Sequence, residues 1–258
     1  MNEKEAVIEV KGLGVSYGEY TILSDVSFTV FKEEILVIAG ESGCGKSTLL
    51  KHMIGLEMPD TGNVIINGVD ITTADDNTMR QVRRNIGMLF QSSALIGSMT
   101  LAENVALPLY EFTQLPEETI EQIIKIKLGM VGLSGYENHF PAELSGGMKK
   151  RAGIARALAL DPSILFFDEP SAGLDPVTSA GLDMLIKKIN EGVGTTMVIV
   201  THELNSIFTV AHRILMLDKS KKGIIGEGGP QELKEHAKDP RIIAFFNRQV
   251  LNDKSKGF

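Results

Sequence analysis

Two short stretches carry the residues best suited to chemistry on a phosphate chain. Gly40-Glu41-Ser42-Gly43-Cys44-Gly45-Lys46-Ser47-Thr48 fits the pattern G-x-x-x-x-G-K-[ST]. In that pattern glycines let backbone N–H groups turn inward onto an anion, the lysine reaches the β- and γ-phosphates, and the next hydroxyl ligates Mg²⁺. Far along the chain, Ser163-Ile164-Leu165-Phe166-Phe167-Asp168-Glu169-Pro170 is an apolar run that stops at two carboxylates. A buried strand ending in paired acids gives them separate tasks in phosphoryl transfer: one can hold Mg²⁺ through water, the other can polarise an attacking water.

These side chains need a scaffold, and the flanking patterns supply one. Glu34 to Ala39 is an apolar, β-branched run suited to a buried strand, and Ser47 to Ile54 can continue as a helix whose positive end faces the same anion. Ile86 to Phe90 predicts a short strand that stops at Gln91, and Thr195 to Val200 predicts a buried strand ending at Thr201-His202-Glu203. If these strands share a sheet, His202 falls on its ligand-binding edge, although an isolated histidine is more often structural. Tyr17, in Val15-Ser16-Tyr17-Gly18, either stacks on a base or merely packs, and its neighbours do not choose between the two.

Residues 6 to 31 alternate apolar and polar in short pieces separated by Gly12, Gly14 and Gly18, which predicts antiparallel strands, with another at Asn63 to Gly68. Residues 100 to 160 change to helical periodicity, with Leu101, Val105 and Leu109 on one face and Ile120, Ile123, Ile124 and Leu128 on another. Pro108, Pro116 and Pro141 break this mostly helical insertion. Leu144-Ser145-Gly146-Gly147-Met148 precedes a helix pattern through Leu160, a second helix start able to hold an anion. The adjoining Lys149-Lys150-Arg151 reads as a solvated face. A turn at Ser171 to Pro176 and a helix from Val177 to Asn190 follow the acid pair. The glycine- and lysine-rich segment after Asp218 leads to a helix from Pro230 and an apolar patch at Ile242 to Phe246.

Composition bounds the partners. A chain of 258 residues with 43% hydrophobic residues can build a large core, and its net charge of −7, with no long basic tract, argues against nucleic acid. No apolar run approaches the ~20 residues that span a bilayer, and Met1 to Glu5 lacks the basic and apolar regions of a signal peptide, so a cytoplasmic protein is expected. The single cysteine, Cys44, excludes an intrachain disulfide and fits a reducing compartment. Beside Lys46 at a helix start, its thiol pKa is expected to fall.

In this order the pieces resemble the ATP-binding subunit of ABC transporters over nearly the whole chain. The resemblance rests on the phosphate loop, on Gln91 as the Q-loop glutamine and on Leu144-Ser145-Gly146-Gly147 as the signature. It also includes Asp168-Glu169, the D-loop Ser171 to Asp175, and His202 as the switch histidine. It implies an α/β fold: a P-loop NTPase (RecA-like) core, an antiparallel β subdomain and a helical subdomain inserted at about 92–160, within an ATPase domain of residues 1–235 and before a helical tail, 236–258. It further implies a head-to-tail homodimer binding two ATP with Mg²⁺, in which Ser145, Gly146 and Gly147 of one chain meet the γ-phosphate held by the other. Glu169 would be the general base, Ser47, Gln91 and Asp168 would surround the metal, His202 would steady the γ-phosphate, and Tyr17 would stack on adenine. A separate membrane permease, at the cytoplasmic face of the inner membrane, would receive the work.

Met148 departs from this pattern, because the signature has glutamine there and a thioether cannot replace the amide's hydrogen bonds. With the residues around it, Met148 resembles the ATPases of MCE-type phospholipid transporters, also described as toluene-tolerance systems, which implies further lipid-binding subunits. Amino-acid and metal importers share much of the pattern. A soluble ABC ATPase acting on DNA or ribosomes would bring a coiled coil or a second cassette, and a P-loop kinase would leave Ser145 unexplained. The apolar, glycine-containing segment Ser92 to Met99 reads as the groove that receives the permease, with Leu95 and Met99 as its contacts.

Overall fold

The computed structural model describes residues 5–249, so that Met1 to Lys4 and the end of the tail from 250 lie outside the described residues. Its centre is strand β3 (Ile35–Ala39), whose five residues are all buried. Side chains alternate across it: Ile35, Val37 and Ala39 enter one core, Leu36 and Ile38 the other. A strand buried on both faces belongs in the middle of a parallel sheet. The larger sheet has the order β10-β9-β3-β8-β7-β6, with β6 (Ile86–Leu89), β7 (Ile164–Asp168), β8 (Thr196–Val200) and β9 (Arg213–Asp218) running parallel to their neighbours. Only β10 (Gly223–Gly228) is antiparallel.

On one face lies a four-stranded antiparallel sheet, ordered β2-β1-β4-β5, made of β1 (Ala6–Tyr17), β2 (Tyr20–Phe31), β4 (Thr61–Ile66) and β5 (Val69–Asp70). Helices α1 (Lys46–Met53) and α2 (Asp76–Arg84) contribute to the same core. The opposite face is covered by α3 (Leu101–Phe112), α4 (Glu117–Met130), α5 (Gly146–Ala157), α6 (Pro176–Val193) and α7 (Leu204–Val210). The short α8 (Pro230–His236) and α9 (Pro240–Asn247) add Leu233, Ile242 and Phe246 to that core. No helix among the described residues is long and apolar enough to cross a membrane.

The expected mixed α/β arrangement, with an antiparallel sheet and helices between Gln91 and the acid pair, is therefore what the chain adopts. Local departures have local causes. Gly12 and Gly14 do not end strands but sit in β1 at register shifts, where bulges replace the expected breaks. Pro108 lies inside α3 rather than ending it; a helix packed along Leu101, Val105 and Leu109 can carry the lost hydrogen bond. The segment after Asp218 holds β10, an edge strand hidden by its glycines.

Candidate active site

All the parallel strands point the same way, so the chemistry-bearing residues collect at one edge of the sheet. β3 runs into the phosphate loop, β6 ends two residues before Gln91, β7 ends on Asp168, and β8 ends two residues before His202. Ser42, Gly43, Gly45, Lys46, Ser47, Thr48, Gln91, Glu169 and His202 line a single cleft of about 270 Å³.

Two glycines with positive φ shape the loop. At Gly40, with φ +148°, a Cβ would stand 2.4 Å from the Leu217 carbonyl oxygen. Gly45 caps α1 at φ +101°, and a Cβ there would be 2.8 Å from Leu23 Cδ2. Because Gly45 offers no side chain, the first-turn N–H groups of α1 have no side-chain cap and are available to an anion. Lys46 is buried and donates to the carbonyls of Gly40 at 2.8 Å and Glu41 at 3.0 Å. Cys44 is buried too, and burial pushes its thiol up despite the nearby Lys46, the reverse of the expected acidification.

The acid pair divides in two. Ser47 Oγ donates to Asp168 Oδ1 at 2.9 Å, joining the loop to the end of β7. Burial raises the Asp168 carboxyl and the Ser47 bond opposes the rise; the neighbouring Glu169 charge adds to it, while Lys150 and Lys46 counter it. Glu169 takes the left-handed conformation, φ +46°, and its N–H donates to the Val200 carbonyl at 2.8 Å, which turns the chain out of the sheet. Its Oε1 lies 2.8 Å from His202 Nδ1, whereas Oε2 is buried with no hydrogen-bond partner among the described residues. Its position in the cleft leaves that oxygen free for a water.

No group of three or more His, Cys, Asp and Glu among the described residues is arranged to hold a metal. Mg²⁺ on a nucleotide needs only one or two protein oxygens, the rest coming from phosphate and water. Ser47 and Asp168, already in contact, with Gln91 on the same cleft, fit that requirement.

Other expected site residues lie elsewhere. Ser145 caps α5, its Oγ accepting from the Met148 N–H at 3.3 Å, and neither it nor Gly146 or Gly147 lines the cleft. The two glycines rest on the start of α6: a Cβ on Gly147 would be 2.4 Å from Thr178 Cγ2, and one on Gly146 3.4 Å from Leu174 Cδ2. Met148 turns into the main core, so its apolar side chain has a packing partner in its own chain. Tyr17 is half-exposed and its hydroxyl donates to Glu57 Oε2 at 2.5 Å, with Glu57 also accepting from Lys51 on α1 at 3.0 Å.

The basic run is not a solvated face. Lys150 is buried, donating to the carbonyls of Gln91 at 2.5 Å and Glu169 at 3.3 Å, and Arg151 donates to the Val131 carbonyl at 3.0 Å. Burial pushes the Lys150 ammonium down, and the charges of Asp168 and Glu169 oppose this. Sequence reading also missed Arg156, which donates to the carbonyls of Ser93 at 2.8 Å and Ala94 at 2.6 Å. It missed Asn104 as well, a fully buried side chain on α3 that binds the carbonyls of Ile96, Met99 and Thr100 and accepts from the Ile96 N–H. An amide on the apolar side of a helix was the available signal. These bonds pin the segment Ser92 to Met99 to α3 and α5 while most of it stays exposed, and Leu95, expected as a permease contact, is partly buried against the core. The groove beside it, about 330 Å³, is lined by Phe90, Ala94, Pro108, Phe112 and Arg156 with Arg83 and others.

Comparison with known proteins agrees with this geometry. The ABC transporter family profile matches residues 23–172, more than half of the chain. The "Probable ribonucleotide transport ATP-binding protein mkl" of Mycobacterium tuberculosis (H37Rv) is 45% identical over 240 residues, 93% of this chain and 66% of that protein. The "Methionine import ATP-binding protein MetN" of Brucella abortus (strain 2308) is 44% identical over 224 residues, 87% of this chain and 60% of MetN. The chain thus spans just under two thirds of the length of such relatives. Among solved structures, the dimeric ATP-binding cassette MJ0796 in a post-hydrolysis state with ADP and Pi superposes with a TM-score of 0.79 at 34% identity, covering 86% of this chain and 98% of that one. The cbiO1 subunit of Clostridium perfringens, at 24% identity and a TM-score of 0.82 over 96% of both chains, shares the fold. On these matches and this geometry, the chain belongs to the ABC transporter family and carries its ATP-binding cassette.

Proposed function

We propose that the chain is the ATP-hydrolysing subunit of a membrane transporter whose permease is a separate chain, and that it works as a head-to-tail homodimer bound peripherally to the membrane. The observation that carries this is Glu169: a buried carboxylate in the nucleotide cleft, one oxygen fixed by His202 and the other unpartnered. In this reading the α1 N–H groups and Lys46 hold the β- and γ-phosphates, and Tyr17 stacks on the base. Glu169 Oε2 takes a proton from the water whose oxygen bonds to the γ-phosphorus as the bond to the β–γ bridging oxygen breaks, leaving ADP and phosphate. His202 steadies the γ-phosphate while orienting Glu169. Ser47, Asp168 and Gln91 would hold Mg²⁺, which neutralises charge on the phosphate oxygens when bound. Ser145, Gly146 and Gly147 complete the partner's site. Residues 1–235 form the ATPase domain with its helical insertion at about 92–160, and 236–258 the tail.

Glu169→Gln tests the core of this: ATP binding should persist while turnover falls about 10²–10⁴-fold, and wild-type turnover would remove Glu169 from the role. Lys46→Ala should instead abolish tight nucleotide binding.

For the cargo, the Met148-bearing signature supports phospholipid transport of the MCE type, with additional lipid-binding subunits. The likeness to MetN, named for methionine import, favours a small-molecule importer as the second reading. Recovering the complex from native membranes and extracting its lipid separates them: a phospholipid-binding complex supports the first, an amino-acid or nucleotide permease the second.

A further inference from the structure

The mechanism above makes no use of Lys150, yet it is the one cation of α5 that touches two parts of the hydrolytic site. A lysine only 5% exposed is unusual and needs acceptors for its ammonium. Both that the structure supplies are peptide carbonyls, those of Gln91 and Glu169, whose own side chains line the nucleotide cleft. We propose that Lys150 is a positioning residue for ATP hydrolysis: its ammonium ties the Gln91 segment and the Glu169 turn to the signature helix, so that the base and the metal-side glutamine keep one relative placement. This rests on the assignment of Glu169 as base.

Several features favour a tie over mere filling. Gln91 follows β6 at the edge of the sheet and is exposed, so little else fixes it against the acid turn. Glu169 sits in the left-handed conformation, where its carboxylate direction depends on how the turn is held; its carbonyl also accepts from Ala172 at 3.1 Å. Further along α5, Arg156 grips the carbonyls of Ser93 and Ala94, so one helix holds residues 91, 93 and 94 through two of its side chains. Lys150 is the branch from that helix to the base. Since α5 also begins at the capped Ser145, a displacement of the signature end carries the Gln91 segment and the Glu169 turn with it.

The role asked of Lys150 is donation to two carbonyls, not charge. Lys150→Met keeps the stem and removes the donors, whereas Lys150→Gln keeps a donor without the charge. In steady-state ATP turnover of the full chain, K150M should lose about 10–100-fold in kcat with KM within about two-fold, since the phosphate contacts are untouched. ADP affinity should likewise stay within about two-fold, and K150Q should recover most of the lost rate. Lys150→Ala serves the same comparison should K150M fail to fold. Wild-type kcat in K150M, a KM that rises in step with the loss, or a K150Q as slow as K150M would each overturn the proposal. Glu169→Gln is run beside them. If E169Q turns over normally, the base assignment fails and takes this inference with it; if E169Q is inactive and K150M is normal, only the role of Lys150 falls.

Discussion

Two helices of this molecule begin with glycines suited to an anion, and they are built differently. α1 opens at Gly45, with no side-chain cap, inside a cleft that already holds Lys46, Gln91, Glu169 and His202. α5 opens at Ser145, whose hydroxyl caps the Met148 N–H, and its glycines lean on Leu174, just before α6, and on Thr178 in the first turn of α6. The first is a site with its chemistry assembled around it. The second is a polar helix end whose Ser145, Gly146 and Gly147 do not line that cleft, which is what half of a shared site would look like before a second copy of the chain arrives.

The largest expected effect tests that difference directly. In a dimer pairing one Ser145→Arg chain with one Lys46→Ala chain, both defects should fall on the same composite site, leaving the other near half of the wild-type turnover. Loss of both sites would put Ser145 to work within its own chain and erase the contrast between the two helix ends.

Next in size is the segment joining Gln91 to the helical insertion. Leu95→Asp places a charge against the main core and should lower stability by about 2–4 kcal/mol, seen as a lower denaturant midpoint. Ala94→Asp, on the exposed groove wall, should leave the midpoint almost unchanged while weakening capture of the permease. Equal loss of stability in both would mean that the groove wall is core, and intact permease capture by Ala94→Asp would remove the groove from the interface.

The α5 start can be probed from behind. A methyl at residue 147 would meet Thr178 Cγ2, a stiff β-branched group, so Gly147→Ala should cost about 1–3 kcal/mol. Adding Thr178→Ser, which deletes that methyl, should return most of it. If the double variant is no better than Gly147→Ala alone, the glycine is required for some reason other than the fit of α5 on α6.

What could be read from the sequence follows the same division. The phosphate loop and the acid-ended strand are contiguous, with each residue's neighbours predicting its strand or helix, so the cleft's main elements could be placed before any coordinates. Lys150, Arg156 and Asn104 could not, because their roles depend on carbonyls presented by residues distant in the chain, and a lysine beside Lys149 and Arg151 looks the same in sequence whether its ammonium meets water or a peptide. Cys44 shows the same limit in electrostatics: adjacency to Lys46 was visible, but the burial that outweighs it was not. β10 was hidden for another reason, since an edge strand with three glycines in six residues carries almost none of the period-two signal.

The smallest effect concerns a second buried acid that sharpens the comparison with Glu169. Asp183 on α6 is 3% exposed, and it accepts from Ser206 Oγ of α7 at 2.8 Å; Ser206 Oγ lies 3.2 Å from Ser171 Oγ, just past the acid turn. Glu169 keeps a free oxygen in a cleft, whereas this carboxylate is tied into a chain of hydroxyls away from it. Burial raises the Asp183 carboxyl, the Ser206 bond opposes the rise, and the charge of Glu203 adds to it. A carboxyl whose folded pKa lies above its unfolded value, ~3.9, makes the ionised form a burden on the fold. That burden is full above the folded pKa, shrinks as pH falls through it, and vanishes below the unfolded value. Asp183→Asn keeps an oxygen to accept from Ser206 while removing the charge. It should therefore raise Tm at pH 7 by about one to three degrees, with the gain closing toward pH 4, when melts are run without nucleotide. A lower Tm at pH 7, or a gain independent of pH, would mean that the ionised carboxylate holds α6 to α7, and that burial of an acid in this molecule does not by itself mark a site of chemistry or a site of strain.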